Sequence, residues 1–120
     1  AEVSEKVRCL EDTVSRIIGH IEEHPEALPE ARRLMAYYLP TTVKLLGAYG
    51  EFDRQPIQGE NIRKAKTEIK EALDTINLAF GNLFDSFFED AARDISAEIS
   101  VLNTLLAQEG LTEKDFKARS

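Results

Sequence analysis

The spacing of the apolar residues constrains this chain more than any other feature. From Val3 to His24, apolar side chains recur at alternating steps of four and three: Val3, Val7, Leu10, Val14, Ile17 and Ile21. A later segment, from Glu60 onward, also steps by three or four residues: Ile62, Ala65, Ile69, Leu73, Ile76, Phe80, Leu83 and Phe87. Such steps place side chains on one face of an α-helix, whereas a half-buried strand alternates every second residue. The sequence therefore predicts an all-α fold with long, core-facing helices.

Prolines and glycines divide this helical pattern into segments. Pro25 and Pro29 are predicted to end the first helix and begin the second, because proline is tolerated only in the first turn of a helix. The second helix is predicted from Pro29 to Tyr49, with Gly50 as its carboxyl-terminal cap. Residues 53–59 are then a short linker of the kind that joins antiparallel neighbours.

A third helix is predicted from Glu60 to about Phe88, and the apolar pattern slips by one residue after Phe87. Beyond the slip the apolar residues are Phe88, Ala92, Ile95, Ile99, Leu102 and Leu106. No glycine or proline follows until Gly110, so one helix of about 50 residues, roughly 75 Å long, is conceivable and would need a dimer to cover its second half. A turn at the slip gives a fourth helix, which we favour. Gly110 would end that helix, with Leu111 folded back in a Schellman-type contact.

Together these segments predict an antiparallel bundle of three to four helices, in a single domain over residues 1–120, with a kink in the second helix. The kink is expected because proline in a helix interior removes a backbone hydrogen bond, at about 3 kcal/mol. The residues at the kink are Tyr37, Tyr38, Pro40, Thr41 and Thr42. They predict either core side chains whose hydroxyls bond locally or a binding surface shaped by the bend.

The charge balance limits the classes of partner. The chain has 15 basic and 22 acidic residues, which gives a net charge of −7. Because an acidic chain repels phosphate backbones and anionic headgroups, nucleic acid and anionic membrane surfaces are excluded as first choices of partner. A protein partner or a homo-oligomer is expected instead. Because the chain begins at Ala1, we expect it to be the soluble part of a longer protein, whose missing amino-terminal region makes any membrane contact. The single cysteine, Cys9, is predicted to be semi-buried and favours a reducing compartment.

The densest group of potential metal ligands is acidic. Asp90, Asp94 and Glu98 stack at i,i+4 spacing, where like charges repel by a few tenths of a kcal/mol per pair. A divalent cation would relieve that repulsion, but Arg93 would do so as well, and a solvated face or a docking surface for a basic partner is the simpler interpretation. No other cofactor is predicted, since the chain has no phosphate-binding glycine loop and no serine elbow.

Several segments resemble one known family. They are Tyr37–Leu46 (YYLPTTVKLL), Ile57–Asn61 (IQGEN), Leu73–Asn77 (LDTIN) and Asp94–Leu111 (DISAEISVLNTLLAQEGL), which together cover about residues 30 to 111. In these runs the chain resembles the 5-bromo-4-chloroindolyl phosphate hydrolysis protein family of bacteria. The resemblance implies a membrane-associated amino-terminal region. It therefore also implies that the protein is located at the cytoplasmic face of the membrane. It also implies a genomic setting beside toxic-anion (tellurite) resistance proteins and, from the family name, hydrolysis of a chromogenic phosphate ester.

Two functions follow from the residues and the resemblance together. The first is a helical interaction module linked to envelope or toxic-anion stress, which would affect phosphatase activity indirectly. The alternative is a metal-dependent phosphoester hydrolase that acts on 5-bromo-4-chloroindolyl phosphate through Asp90, Asp94 and Glu98. Phosphoester hydrolysis needs charge stabilisation on the phosphoryl oxygens, and the acidic residues could supply it only around bound cations.

Overall fold

The computed structural model describes residues 2–111, which contain four α-helices. These are α1 (Glu2–Glu23), α2 (Leu28–Asp53), α3 (Glu60–Ser86) and α4 (Glu89–Gln108), with a 3-10 turn at Pro25–Ala27. No strand occurs among the described residues, so the predicted all-α class is confirmed. The sequence predicts one domain over residues 1–120; the structure divides after Ser86 into two compact units, one with α1–α3 and one with α4.

The break between α1 and α2 lies where the two prolines predict it. Pro25 opens the 3-10 turn directly after α1, and Pro29 lies in the first turn of α2. The predicted end of α2 at Gly50 is wrong, because the helix continues to Asp53. A helix-interior glycine costs only about 1 kcal/mol, and the continuation half-buries the side chain of Phe52. Burial therefore outweighs the local preference for a glycine cap.

The directions of the first three helices follow from their contacts. Along α1 and α3, Glu2 pairs with Lys70 and Lys6 pairs with Asp74. Both series of residue numbers rise together, so α1 runs parallel to α3. Along α2 and α3 the order reverses, since the Tyr38 ring meets Phe80 whereas the later Asp53 pairs with the earlier Lys66. The three helices therefore run up, down and up, as the predicted antiparallel bundle requires.

The core of this unit is centred on α3. Of the buried apolar residues, α1 contributes Leu10 and Ile17 and α2 contributes Ala31. The others lie on α3 at steps of four and three: Ile69, Leu73, Ile76, Phe80 and Leu83. This is the central part of the predicted seam, which confirms that the spacing reports burial. Cys9, by contrast, is exposed; its predicted semi-burial is wrong because it precedes Leu10 and is turned by about 100° from the core-facing stripe.

The break between α3 and α4 occurs at the predicted slip. Phe88 stands at the amino-terminal cap of α4 without a side-chain hydrogen bond to the helix, and the Ala92 N–H donates to its carbonyl at 2.8 Å. At the other end Gly110 has a φ of 69°, and the Leu111 N–H donates to the Leu106 carbonyl at 2.8 Å. This is the predicted Schellman arrangement. None of the described helices is long and apolar enough to cross a membrane.

Candidate interaction surface

Five residues are predicted to surround the kink, and two of them, Tyr38 and Thr42, have side chains directed into the first unit, which contains α1–α3. Thr42 is 4% exposed, and its hydroxyl donates to the Tyr38 carbonyl at 2.7 Å. The Tyr38 ring meets Phe80 of α3 edge to face, with 6.0 Å between the ring centres and 70° between their planes. An edge-to-face pair of this kind contributes about 0.5–1.5 kcal/mol beyond its burial. The structure therefore assigns Tyr38 and Thr42 to the packing of α2 on α3.

The other three residues at the kink lie on the surface. Tyr37 is 67% exposed, and Pro40 and Thr41 are exposed as well. The Thr41 hydroxyl donates to the Tyr37 carbonyl at 3.1 Å, which is an ordinary bond to the preceding turn. Since Pro40 has no N–H, the Ala36 carbonyl lacks the amide donor that a regular helix would supply. The helix continues through Pro40, and the bend itself stays a prediction.

An open apolar groove of about 440 Å³ lies beside Pro40 on α2. Its lining consists of Leu28, Arg32, Met35, Ala36, Leu39 and Pro40. Sequence reasoning identified Pro40 but did not assign the other five residues to a binding surface. Their recurrence on one face of the helix was the signal that could have revealed them, because residues three or four apart share a face. Chemically the groove offers apolar contact, with a guanidinium at its edge.

A second depression, of about 520 Å³, lies at the loop between α2 and α3. It is lined by Gln55, Pro56, Ile57, Gly59, Glu60, Asn61 and Ile62. The loop itself is held by side chains, because the Gln58 amide donates to the Phe52 and Gln55 carbonyls at 2.9 and 2.8 Å. Lys66 adds bonds to the Asp53 carboxylate at 2.9 Å and to the Gln58 amide oxygen at 3.1 Å. These bonds account for an ordered loop, and the lining offers a single carboxylate.

The acidic residues of α4 are exposed and already have a cationic neighbour. The Arg93 guanidinium lies 3.1 Å from the Asp90 carboxylate and 3.6 Å from that of Glu89. Exposed pairs of this kind stabilise a helix by only a few tenths of a kcal/mol. Among residues 2–111 no group of three or more His, Cys, Asp or Glu side chains is placed to hold a metal ion. The metal site at Asp90, Asp94 and Glu98 therefore stays a prediction that no such cluster supports.

The most distinctive surface of α4 is apolar. We define the α4 stripe as the residues on one face of this helix at steps of three and four: Ala92, Ile95, Ile99, Leu102 and Leu106. None of the residues in α4 is buried, and the exposed fractions of Ile95, Ile99 and Leu102 are 60%, 50% and 53%. Single exposed leucines are ordinary, but a continuous apolar stripe marks a surface that another helix can cover.

The charges of α4 lie away from the α4 stripe. At about 100° per residue, Asp90 and Asp94 lie roughly 160° and 120° from the centre of the stripe, while Ser96 and Asn103 border it on the other side. Glu98 is the only charged residue at its edge. The stripe and its polar border thus have the pattern of a helix–helix seam rather than that of a ligand pocket.

Comparison with protein families gives a match over most of the chain. The family model described as 5-bromo-4-chloroindolyl phosphate hydrolysis protein matches residues 1–102. The match covers α1, α2 and α3 and continues into α4 as far as Leu102. Neither the curated proteins nor the solved structures contain a match to the chain.

Proposed function

The chain belongs to the 5-bromo-4-chloroindolyl phosphate hydrolysis protein family, and we propose that it serves as a helical interaction module with the α4 stripe as its docking surface. The observation that carries this proposal is the apolar stripe on a helix without a buried side chain. The resemblance adds a setting: a protein at the cytoplasmic face of a membrane that acts in envelope or toxic-anion stress. Cell fractionation of the full-length protein would test that placement.

The area that remains exposed determines how strongly such a surface can bind. Full burial of a leucine or isoleucine side chain contributes about 1.5–3 kcal/mol, and the three large residues of the stripe quoted above are each roughly half exposed. Covering them therefore contributes about 1 kcal/mol each, and a partner helix of similar composition doubles the sum to roughly 6 kcal/mol. Association itself costs on the order of 4–15 kcal/mol. The α4 stripe is thus suited to weak, reversible binding.

Photo-crosslinking at two neighbouring positions tests the docking surface. A photoreactive phenylalanine analogue would replace either Leu102, which lies on the α4 stripe, or Val101. Val101 is 56% exposed but lies roughly 140° around the helix from the centre of the stripe. We expect crosslinked products in the native cells from position 102 and few from position 101. Equal yields from the two positions, or none from either, would contradict the proposal.

The family description favours one alternative, a metal-dependent phosphoester hydrolase. Its test is hydrolysis of 5-bromo-4-chloroindolyl phosphate by the purified chain with Mg²⁺, Mn²⁺ or Zn²⁺. We expect no turnover with any of these metals, because the described residues hold no cluster of three metal-ligating side chains. Turnover that Asp94→Asn and Glu98→Gln both abolish would establish the hydrolase and overturn the interaction module as the primary function.

A further inference from the structure

We propose that the α4 stripe is covered by α4 of a second copy of this chain, which lies antiparallel to the first across a two-fold axis. The inference rests on the function proposed above and names the partner at the same surface. Three properties of α4 favour a second copy: the register of its apolar residues, the position of its charges and its length.

The α4 stripe is complementary to itself when the helices are antiparallel. In one register Ile99 faces Leu102 of the second copy, and Ile95 faces Leu106 of the second copy. The two-fold axis repeats both pairs, so four consecutive layers each join an isoleucine to a leucine. Alternating steps of three and four are what such a seam requires. The same register sets Ser96 beside Asn103 of the second copy, which gives the border a neutral polar pair.

The charges of α4 determine its orientation in such a pair. All five charged side chains, four carboxylates and Arg93, lie in its first ten residues, and residues 99–108 contain none. A parallel pair would place two groups of net charge −3 side by side. The antiparallel pair separates them by roughly 20 Å along the axis, about twice the Debye length at 0.1 M salt. It also sets the helix dipoles in opposite directions.

A basic partner helix gains little from these charges. Asp90 and Asp94 lie on the far side of α4 from the α4 stripe, so a helix seated on the stripe would not contact them. Glu98, at the edge, lies beside Leu105 of the second copy in the antiparallel register and keeps its carboxylate in solvent. Charge therefore gives a basic chain no preference at the stripe, whereas the apolar register fits a second copy.

The length of α4 limits the strength of the pair. Twenty residues extend for about 30 Å, and two such helices in contact bury on the order of 1,000 Å² in total. This area is at the lower limit for a specific interface. We therefore expect a weak, reversible dimer that forms at high protein concentration rather than a permanent one.

Sedimentation equilibrium of the 120-residue chain over a wide concentration range tests the pair. The variant Leu102→Lys changes the stripe on both copies and should weaken the dimer at least about tenfold. Its matched control is Val101→Lys, which places the same charge on the next residue, off the stripe, and should leave association unchanged. Helix content from circular dichroism verifies that both variants are folded. A monomer at every concentration, or equal weakening by both variants, would overturn the inference.

Disulfide formation tests the orientation. In a Cys9→Ser background, which removes the exposed native thiol, Ile95→Cys and Leu106→Cys would each be oxidised alone and as an equal mixture. The antiparallel pair predicts a crosslinked dimer in the mixture, containing one of each variant, and little product from either alone. A parallel pair would crosslink each variant with itself and would overturn the inference.

The crosslinking described under the proposed function separates the two failures. Products from position 102 that have the mass of two copies support both proposals. Products that contain only other proteins, together with a monomeric purified chain, overturn self-pairing and leave the interaction module in place. The absence of any product specific to position 102 overturns both.

Discussion

Replacement of Pro40 by alanine should stabilise the first unit, because it restores a hydrogen bond that α2 lacks. Pro40 lies inside α2 on its exposed side, and alanine at this position would give the Ala36 carbonyl an amide donor. The hydroxyls nearby are already engaged elsewhere, since Thr41 and Thr42 donate to the carbonyls of Tyr37 and Tyr38. No buried volume is lost in the change, so no cavity should offset the gain.

The expected size follows from helix propensity. Proline in a helix interior is about 3 kcal/mol less favourable than alanine. The substitution also increases the conformational entropy of the unfolded chain, which reduces the gain in stability by about 0.4–1 kcal/mol. The free energy of unfolding should therefore rise by about 2 kcal/mol. For a unit of this size, that corresponds to an increase of roughly 10 °C in Tm.

Tyrosine fluorescence during urea unfolding measures this effect on the first unit, which contains Pro40. The chain has three tyrosines and no tryptophan, and all three tyrosines lie in α2. The matched control is Gly47→Ala, where an added Cβ meets nothing within 4 Å and about 0.5–1 kcal/mol is expected. If Pro40→Ala stabilises the unit no more than this control, or destabilises it, then the backbone geometry that Pro40 imposes is needed for the packing of Tyr38 and Thr42. The propensity reasoning would then be refuted.

Two further predictions concern the core and the response to acid. Phe80→Ala should lower the free energy of unfolding by about 3–5 kcal/mol, because Phe80 is fully buried. Its control is Leu78→Ala, at an exposed position of α3. In the same urea experiment this control should change the free energy of unfolding by less than about 0.5 kcal/mol. Hydrogen bonding to Lys66 lowers the pKa of Asp53 below its ordinary value of 3.8, so this pair stabilises the fold above pH 3.8 and the contribution is lost as the pH falls through the lowered pKa. Unfolding midpoints of Asp53→Asn and the unmodified chain should differ near neutral pH and converge below pH 3.8; a constant difference would contradict the coupling.

Much of the fold can be predicted from the sequence because helical periodicity reports burial directly. The seam through Ile69, Leu73 and Phe80 is the observed core of α3, and the slip after Phe87 marks the observed start of a new helix. The failed predictions have a different cause. The cap at Gly50 rests on local preference alone, whereas the observed end of α2 depends on burial of Phe52, which no local rule includes.

The residues around Pro40 show why surfaces are harder to predict than cores. The sequence presents Tyr37 and Tyr38 as equivalent neighbours, as it does Thr41 and Thr42. A rotation of about 100° per residue separates the members of each pair. Tyr38 therefore packs on Phe80 of α3 and Thr42 is buried, whereas Tyr37 and Thr41 face solvent. Which member does so depends on the phase of the helix against its neighbour, which emerges only from tertiary packing.

The proposed interaction module separates the residues that stabilise the fold from the residues that would bind the partner. Within residues 2–111 the buried side chains belong to α1, α2 and α3, whereas α4 contributes none. A change on the α4 stripe, such as Leu102→Lys, should therefore weaken association without lowering the unfolding midpoint reported by the tyrosines. A change in the core, such as Phe80→Ala, should lower the unfolding midpoint. It should leave association unchanged at urea concentrations where the chain remains folded. If both variants impaired both properties, α4 would be part of the folding unit and the α4 stripe could not serve as an independent docking surface.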